Sequence, residues 1–165
     1  MNIKKNNYNY IFHSTDTYKD YLSNYLKNEK IPNVQIISDD KIKSAVLKKS
    51  IFAIVKSGTV SLEVCNESIP SIIIYKMNFL NYYIAKFFLK IKFVNMINII
   101  NDKEVIPELI QKECNSEEIF KSVYYFLKKP NLAKDQIIEV KKTINDLTSS
   151  TSSSYEASKV LLSYL

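Results

Sequence analysis

The stretch from Ile51 to Tyr75 constrains the fold more than any other part of the chain. An apolar run, Ile51-Phe52-Ala53-Ile54-Val55, leads into Lys56-Ser57-Gly58-Thr59, then Val60-Ser61-Leu62-Glu63-Val64-Cys65, then Pro70-Ser71-Ile72-Ile73-Ile74-Tyr75. The outer runs have the length and β-branched content of buried strands, and the middle segment reads as a short helix. Together they make a βαβ unit with a tight turn at the carboxyl end of its first strand. Gly58 is the only glycine in 165 residues. Such a residue marks either a positive φ or a close approach to the backbone. In open α/β sheets ligands bind at this end of the strands, and a helix N-terminus there favours anions such as phosphate.

The preceding residues repeat the alternation. Tyr8 to Phe12 reads as a strand, and Ser14-Thr15-Asp16 offers caps for a helix from Thr17 to Glu29, where Tyr18, Tyr21, Leu22, Tyr25 and Leu26 recur at helical spacing. Ile31-Pro32-Asn33 ends it. Val34 to Ile37 is a second strand, and Ser38-Asp39-Asp40 caps a helix over Lys41 to Lys49 with Ile42, Ala45 and Val46 inward. The order β-α-β-α-β-α-β predicts an α/β fold: a mostly parallel sheet with helices on both faces. A length of 165 residues suits one domain with a real core. No internal repeat is present.

Beyond Tyr75 the segment Phe79 to Lys90 reads as a helix that is aromatic and aliphatic almost all round, with Lys86, Lys90 and Lys92 at its end. A dozen residues are too few to span a bilayer, which needs ~20. The segment is either a buried helix or one lying in a membrane interface, with Phe79, Tyr83 and Phe87 inserted and Lys86 and Lys90 towards anionic headgroups. Phe93 to Ile100 reads as a short strand and its exit loop, and Pro107 opens a helix over Glu108 to Cys114. Asn115-Ser116-Glu117-Glu118 caps a helix running to Leu127, with acids in its first turn. Leu132 to Leu147 is an amphipathic helix with Ile137, Ile138, Val140, Ile144 and Leu147 on its stripe. The polar run Thr148 to Ser154 is a hinge before a last helix, Tyr155 to Leu165. The domain expectation is therefore residues 1–147 as one lobe and 148–165 as a Ser-rich hinge with a helical carboxyl-terminal tail.

Charge narrows the partners. The net charge is +6, and all 23 basic residues are lysine. Arginine, the side chain best shaped to grip guanine or phosphate with two parallel bonds, is absent, which argues against a nucleic-acid reader. Attraction to anionic membrane or to phosphorylated ligands stands. Cys65 and Cys114 have no companion at metal-ligand spacing, so they read as reduced thiols and no metal site is drawn. The amino terminus has no apolar core of signal-peptide length, and the chain is expected to stay inside the cell.

For the turn itself, Ser57, Gly58 and Thr59 can present backbone N–H groups and hydroxyls to a phosphate. Glu63 follows Thr59 by four residues on the same helix face and can accept hydrogen bonds from a sugar. The plainer alternative stays open: Ser57 and Thr59 cap a helix, and Glu63 is a solvated acid near its positive end.

Several spaced motifs occur in one order: Ser57-Gly58-Thr59-Val60-Ser61-Leu62-Glu63, Pro70, Tyr75-Lys76-Met77, Ala85-Lys86, Asn98, and Glu104-Val105-Ile106-Pro107-Glu108-Leu109-Ile110-Gln111-Lys112-Glu113-Cys114. From about Phe12 onward the chain resembles the carboxyl-terminal half of bacterial lipid-A-disaccharide synthases. The resemblance is specific in Ser57–Glu63 and Glu104–Gln111 and general before Ile51. It implies the second Rossmann-like lobe of a GT-B glycosyltransferase. It also implies a reaction joining the sugar of UDP-2,3-diacylglucosamine to 2,3-diacylglucosamine 1-phosphate, an acceptor of the lipid X type, with release of UDP. Ser57 to Thr59 would then lie near the donor diphosphate and Glu63 near its ribose. Asn98, Glu108 and Gln111 would border the donor sugar. Both substrates are lipids, so the resemblance favours the interfacial reading of Phe79 to Lys92 and a cytoplasmic protein peripheral on the inner face of the cytoplasmic membrane. No cofactor or metal is implied.

Departures from the family are equally informative. The first lobe, with the acceptor site and the aspartate expected as general base, has no counterpart in these residues, nor has the glycine-rich loop with its arginine. Ile97 stands where the family has a proline. Asp16, Asp39 and Asp40 read as helix caps and His13 as an ordinary side chain, so no catalytic acid or base is assigned. A donor lobe alone cannot bring two sugars together, and turnover by this chain alone is not expected. It is expected either to act with a separately encoded first lobe or to be a non-catalytic module, a remnant that binds a sugar nucleotide or a partner. In the family the last segment packs against the other lobe, which would leave Val160, Leu161, Leu162 and Leu165 uncovered.

Overall fold

The computed structural model describes residues 8–78, 82, 92–147 and 153–164. In chain order the elements are β1 (Tyr10–His13), α1 (Asp16–Asn28), β2 (Val34–Ile37), α2 (Asp40–Leu47), β3 (Ala53–Lys56), α3 (Thr59–Asn66), β4 (Ser71–Tyr75), α4 (Met96–Asn101), β5 (Glu108–Ile110), α5 (Ser116–Lys128), α6 (Pro130–Leu147) and α7 (Ser153–Leu162). Two compact units are present, Met1–Ser50 and Ile51–Leu165. The architecture is α/β, and every described strand pair is parallel.

In the first unit β1 pairs with β2, Tyr10 opposite Val34 and His13 opposite Ile37. Asp39 begins α2 as its sequence position predicts, its Oδ1 accepting from the N–H groups of Lys41 and Ile42 at 2.7 and 3.1 Å. Asp40 is the first residue of the helix; its carboxylate pairs with Lys43 at 2.9 Å, with His13 Nε2 at 3.8 Å, and the lysine holds it below the usual carboxylate range.

In the second unit β4 is the centre of the sheet β3–β4–β5, with Ala53 opposite Ser71 and Ile73 opposite Glu108. Its core is Cys65 from α3, Ile73 from β4, Ile97 from α4, Ile106 and Val140 from α6, with Val55, Leu62, Val94, Val105 and Ile144 packed around it. Full burial of each such isoleucine stabilises the unit by roughly 1.5–3 kcal/mol. Only part of the α6 stripe reaches the core: Val140 is buried and Ile144 half-buried, whereas Ile138 and Leu147 are exposed. Polar pairs complete the packing. Gln136 of α6 accepts from Ser71 N at 2.7 Å and donates to Ser71 O at 3.0 Å, and Asn101 donates to Thr143 Oγ1 at 2.7 Å.

Two segments differ from the sequence expectation. Phe93 to Ile100 was expected extended, but Asn95 accepts from Ile97 N–H at 3.0 Å through its side chain and turns the chain into α4. A short apolar run does not by itself distinguish strand from helix. Glu108 to Cys114 was expected helical, but Glu108–Ile110 is strand β5. Pro107, read as a helix opener, instead uses its carbonyl to accept from Ile73 N–H at 2.8 Å, so the segment is captured by β4. A proline suits the first position beside an edge strand because it has no N–H to pair.

Phe79, Tyr83, Lys86, Phe87 and Lys90 lie outside the described residues, as do 148–152 of the Ser-rich hinge and Leu165. On α7, Val160, Leu161 and Leu162 are exposed. Among the described residues no helix is long and apolar enough to cross a membrane.

Candidate functional site

The site is built where β3 ends. Lys56 closes the strand, and Gly58 then adopts φ 141° and ψ −162° as the residue preceding α3. This region is essentially closed to residues with a Cβ. A Cβ built on Gly58 would meet nothing within 4 Å. Of the two reasons the sequence offers for a lone glycine, the backbone conformation is therefore the one realised within the chain, and the space in front of the turn is open.

The turn is tied down on both sides. Ser57 Oγ donates to Val94 O at 2.6 Å. Ser61, buried in the first turn of α3, donates from both its N–H and its Oγ to Gly58 O, at 3.1 and 2.6 Å. Asn95 Nδ2 donates to Ser61 Oγ at 3.1 Å. Val94 and Asn95 in turn donate their N–H groups to the carboxylate of Glu108, to Oε2 and Oε1, each at 2.8 Å. Glu108, 7% exposed, is thus the hub of the loop entering α4. Two backbone N–H groups on one carboxylate are a charge-assisted anchor, stronger than neutral bonds.

Asn98 stands behind Glu108 and is fully buried. Its Nδ2 donates to Glu108 Oε1 at 2.8 Å and to Ile106 O at 2.7 Å, while its Oδ1 accepts from Val105 and Ile106 N–H at 2.8 and 2.9 Å. An amide offers two donors and two lone pairs, and all four are in use. Gln111, in the left-handed region at φ 51°, follows β5 and holds Met77 beyond the end of β4. Glu108 and Gln111 share a cleft of about 640 Å³, whose described lining also includes Lys76, Tyr82, Lys92, Phe93 and Lys112. Thr59 opens α3 at the surface, and Glu63 lies half-buried one turn later, outside that lining.

The structure therefore joins Ser57, Gly58, Asn98 and Glu108 in one hydrogen-bonded network and places Gln111 beside Glu108. Sequence reasoning missed Asn95 and Ser61, the two residues that complete it. The signal available was small: a polar residue in the short helix after Gly58, and an asparagine just before the apolar run Met96-Ile97.

Comparison with known proteins decides the family. Residues 1–161 match the family model described as lipid-A-disaccharide synthetase. The chain belongs to this family. The lipid-A-disaccharide synthase of Rickettsia bellii is 36% identical over 135 residues, 81% of this chain and 35% of the relative. That of Rickettsia typhi is 32% identical over 139 residues, 83% and 36% of the two chains. Lipid-A-disaccharide synthase 1 of Legionella pneumophila is 40% identical over 99 residues, 60% and 26%. The chain thus spans only 26% to 36% of the length of these lipid-A-disaccharide synthases. Members of the family are glycosyltransferases of lipid A biosynthesis.

Proposed function

We propose that this chain is the donor-binding portion of a lipid-A-disaccharide synthase, with residues 1–147 as the donor lobe and 148–165 as a hinge and terminal helix. The observation that carries the reading is the Gly58 turn at the carboxyl end of β3, opening α3 and anchored through Val94 and Asn95 to Glu108. Ser57, Gly58 and Thr59 take the diphosphate of UDP-2,3-diacylglucosamine, whose charge is favoured by the N–H groups and dipole of α3. Glu63 accepts from the ribose. The donor sugar sits in the cleft bordered by Glu108 and Gln111, with Asn98 acting through Glu108, since its own polar atoms are satisfied.

In the proposed reaction a hydroxyl of 2,3-diacylglucosamine 1-phosphate attacks the anomeric carbon of the donor, the bond to UDP breaks, and the acceptor proton passes to a general base. The chain contributes donor orientation and stabilisation of the departing diphosphate. The base and acceptor site belong to a first lobe. No metal is assigned a role. The segment with Phe79, Tyr83, Lys86, Phe87 and Lys90 contacts the inner face of the cytoplasmic membrane, where both lipid substrates reside.

Complementation of a synthase-deficient strain tests this. The chain together with the amino-terminal portion of a family member restores lipid A synthesis, and the chain by itself does not. Turnover by the chain alone overturns the placement of the base. Binding of UDP without complementation in either arrangement makes the chain a nucleotide-binding module instead.

A further inference from the structure

The side chains of Asn95 and Ser61 have no role in the reading above, yet both residues are buried and each connects two parts of the candidate site. The orientation of the Asn95 amide is fixed by its own contacts. Its Oδ1 accepts from Ile97 N–H, which only an oxygen can do, so the atom facing Ser61 is the donor Nδ2. The Ser61 hydroxyl, with a single proton, accepts from Asn95 and therefore gives that proton to Gly58 O. Asn95 N–H is at the same time held by Glu108 Oε1.

The Gly58 carbonyl and the Thr59 N–H belong to one planar trans peptide and point in opposite directions. Whatever fixes the first aims the second. A glycine lacks the Cβ that restricts other residues, so the peptide following Gly58 is the one most free to rotate. Two bonds from Ser61 oppose that rotation. We infer that Asn95 is a positioning residue of the donor site: acting through Ser61 it locks the Gly58–Thr59 peptide, so that the Thr59 N–H is aimed at the diphosphate before the donor arrives. The inference rests on the donor-site reading of the turn and assigns no contact between Asn95 and the donor.

The test is a double-mutant cycle on UDP binding by the full chain, measured by calorimetry. Asn95→Asp keeps an acceptor for Ile97 N–H but offers Ser61 an acceptor in place of a donor, so the single hydroxyl proton can no longer be committed to Gly58 O. Ser61→Ala removes the hydroxyl. Each weakens UDP binding by about tenfold, in line with one misdirected hydrogen bond. Because both break the same relay, the double variant binds no more weakly than the weaker single variant. Ser61→Thr, which keeps a hydroxyl, retains the affinity. In labelled protein the amide resonances of Thr59 and Val60 shift in both single variants.

Melting curves separate folding from positioning, and if Asn95→Asp is unfolded at the assay temperature, Ser61→Ala against Ser61→Thr carries the comparison. A pair with a merely structural role lowers the melting temperature and leaves the affinity of the folded protein unchanged, and that result overturns the inference. Strictly additive losses overturn it as well. Wild-type protein that binds no UDP overturns the donor-site reading and this inference together, whereas wild-type binding with unaffected variants overturns the inference alone.

Discussion

Gln111 holds both backbone polar groups of Met77: its Nε2 donates to Met77 O at 3.2 Å and its Oε1 accepts from Met77 N–H at 2.8 Å. One side chain thereby does for the exit of β4 what a neighbouring strand does for its body. Gln111→Ala leaves two half-buried backbone groups unpaired and costs about 1–3 kcal/mol, read as a lowered urea midpoint. Gln111→Glu keeps only the acceptor and falls between the two. Equal midpoints for all three proteins would show that the clamp contributes nothing.

Gly58 is required for its φ of 141° and not for lack of room. Gly58→Ala should therefore destabilise the second unit by about 1–3 kcal/mol, the cost of a strained backbone, without a steric clash. A variant as stable as wild type would mean that the turn relaxes into an ordinary conformation, visible as shifted amide resonances around Ser57 to Val60.

Asn98 engages four partners while fully buried. Asn98→Ala strands the N–H of Ile106, leaves that of Val105 with Lys103 O alone, and removes one of three bonds to the Glu108 carboxylate. The expected loss is on the order of 3 kcal/mol. Asn98→Asp keeps the acceptors, but sets a second carboxylate against Glu108. Denaturation curves should place it below wild type in stability.

Cys65 gives a pH window. Burial pushes its thiol up to about 11 from an ordinary value near 9. The group's contribution is fully present below pH 9. It is lost between about pH 9 and 11, where the unfolded chain ionises first and the folded one does not. The change is about 2–3 kcal/mol. Cys65→Ala should flatten this part of the stability profile. Alkylation of native protein should label the half-buried Cys114 before Cys65; the reverse order contradicts the burial of α3.

Much of this fold was legible in the sequence, and the failures share a cause. Val34–Ile37 was bounded correctly, and the βαβ unit around Gly58 was right in kind, because contiguous apolar runs bounded by caps and turns determine such elements locally. Residues 93–114 were misread because their conformation is decided by partners distant in sequence. Asn95 reaches Ser61 across 34 positions, and Pro107 O is taken by Ile73 of β4. For the candidate site, motif resemblance marked Asn98, Glu108 and Gln111, but their attachment to one another was not visible. An asparagine and a serine that complete a buried network look, in one dimension, like any polar residues on a loop and a helix.

The two glutamines around β4 have a joint consequence. Gln136 grips Ser71, the first residue of the strand, by its N–H and its carbonyl, and Gln111 grips Met77 just past the last in the same way. A slip of one residue would turn every side chain of the strand to the opposite face and carry the gripped N–H and carbonyl away from both glutamines. The central strand is therefore held at each end by a side chain from a different element, α6 at its start and the β5 exit beyond its end. The register error that would exchange the two faces of β4 is thereby opposed at both of its ends.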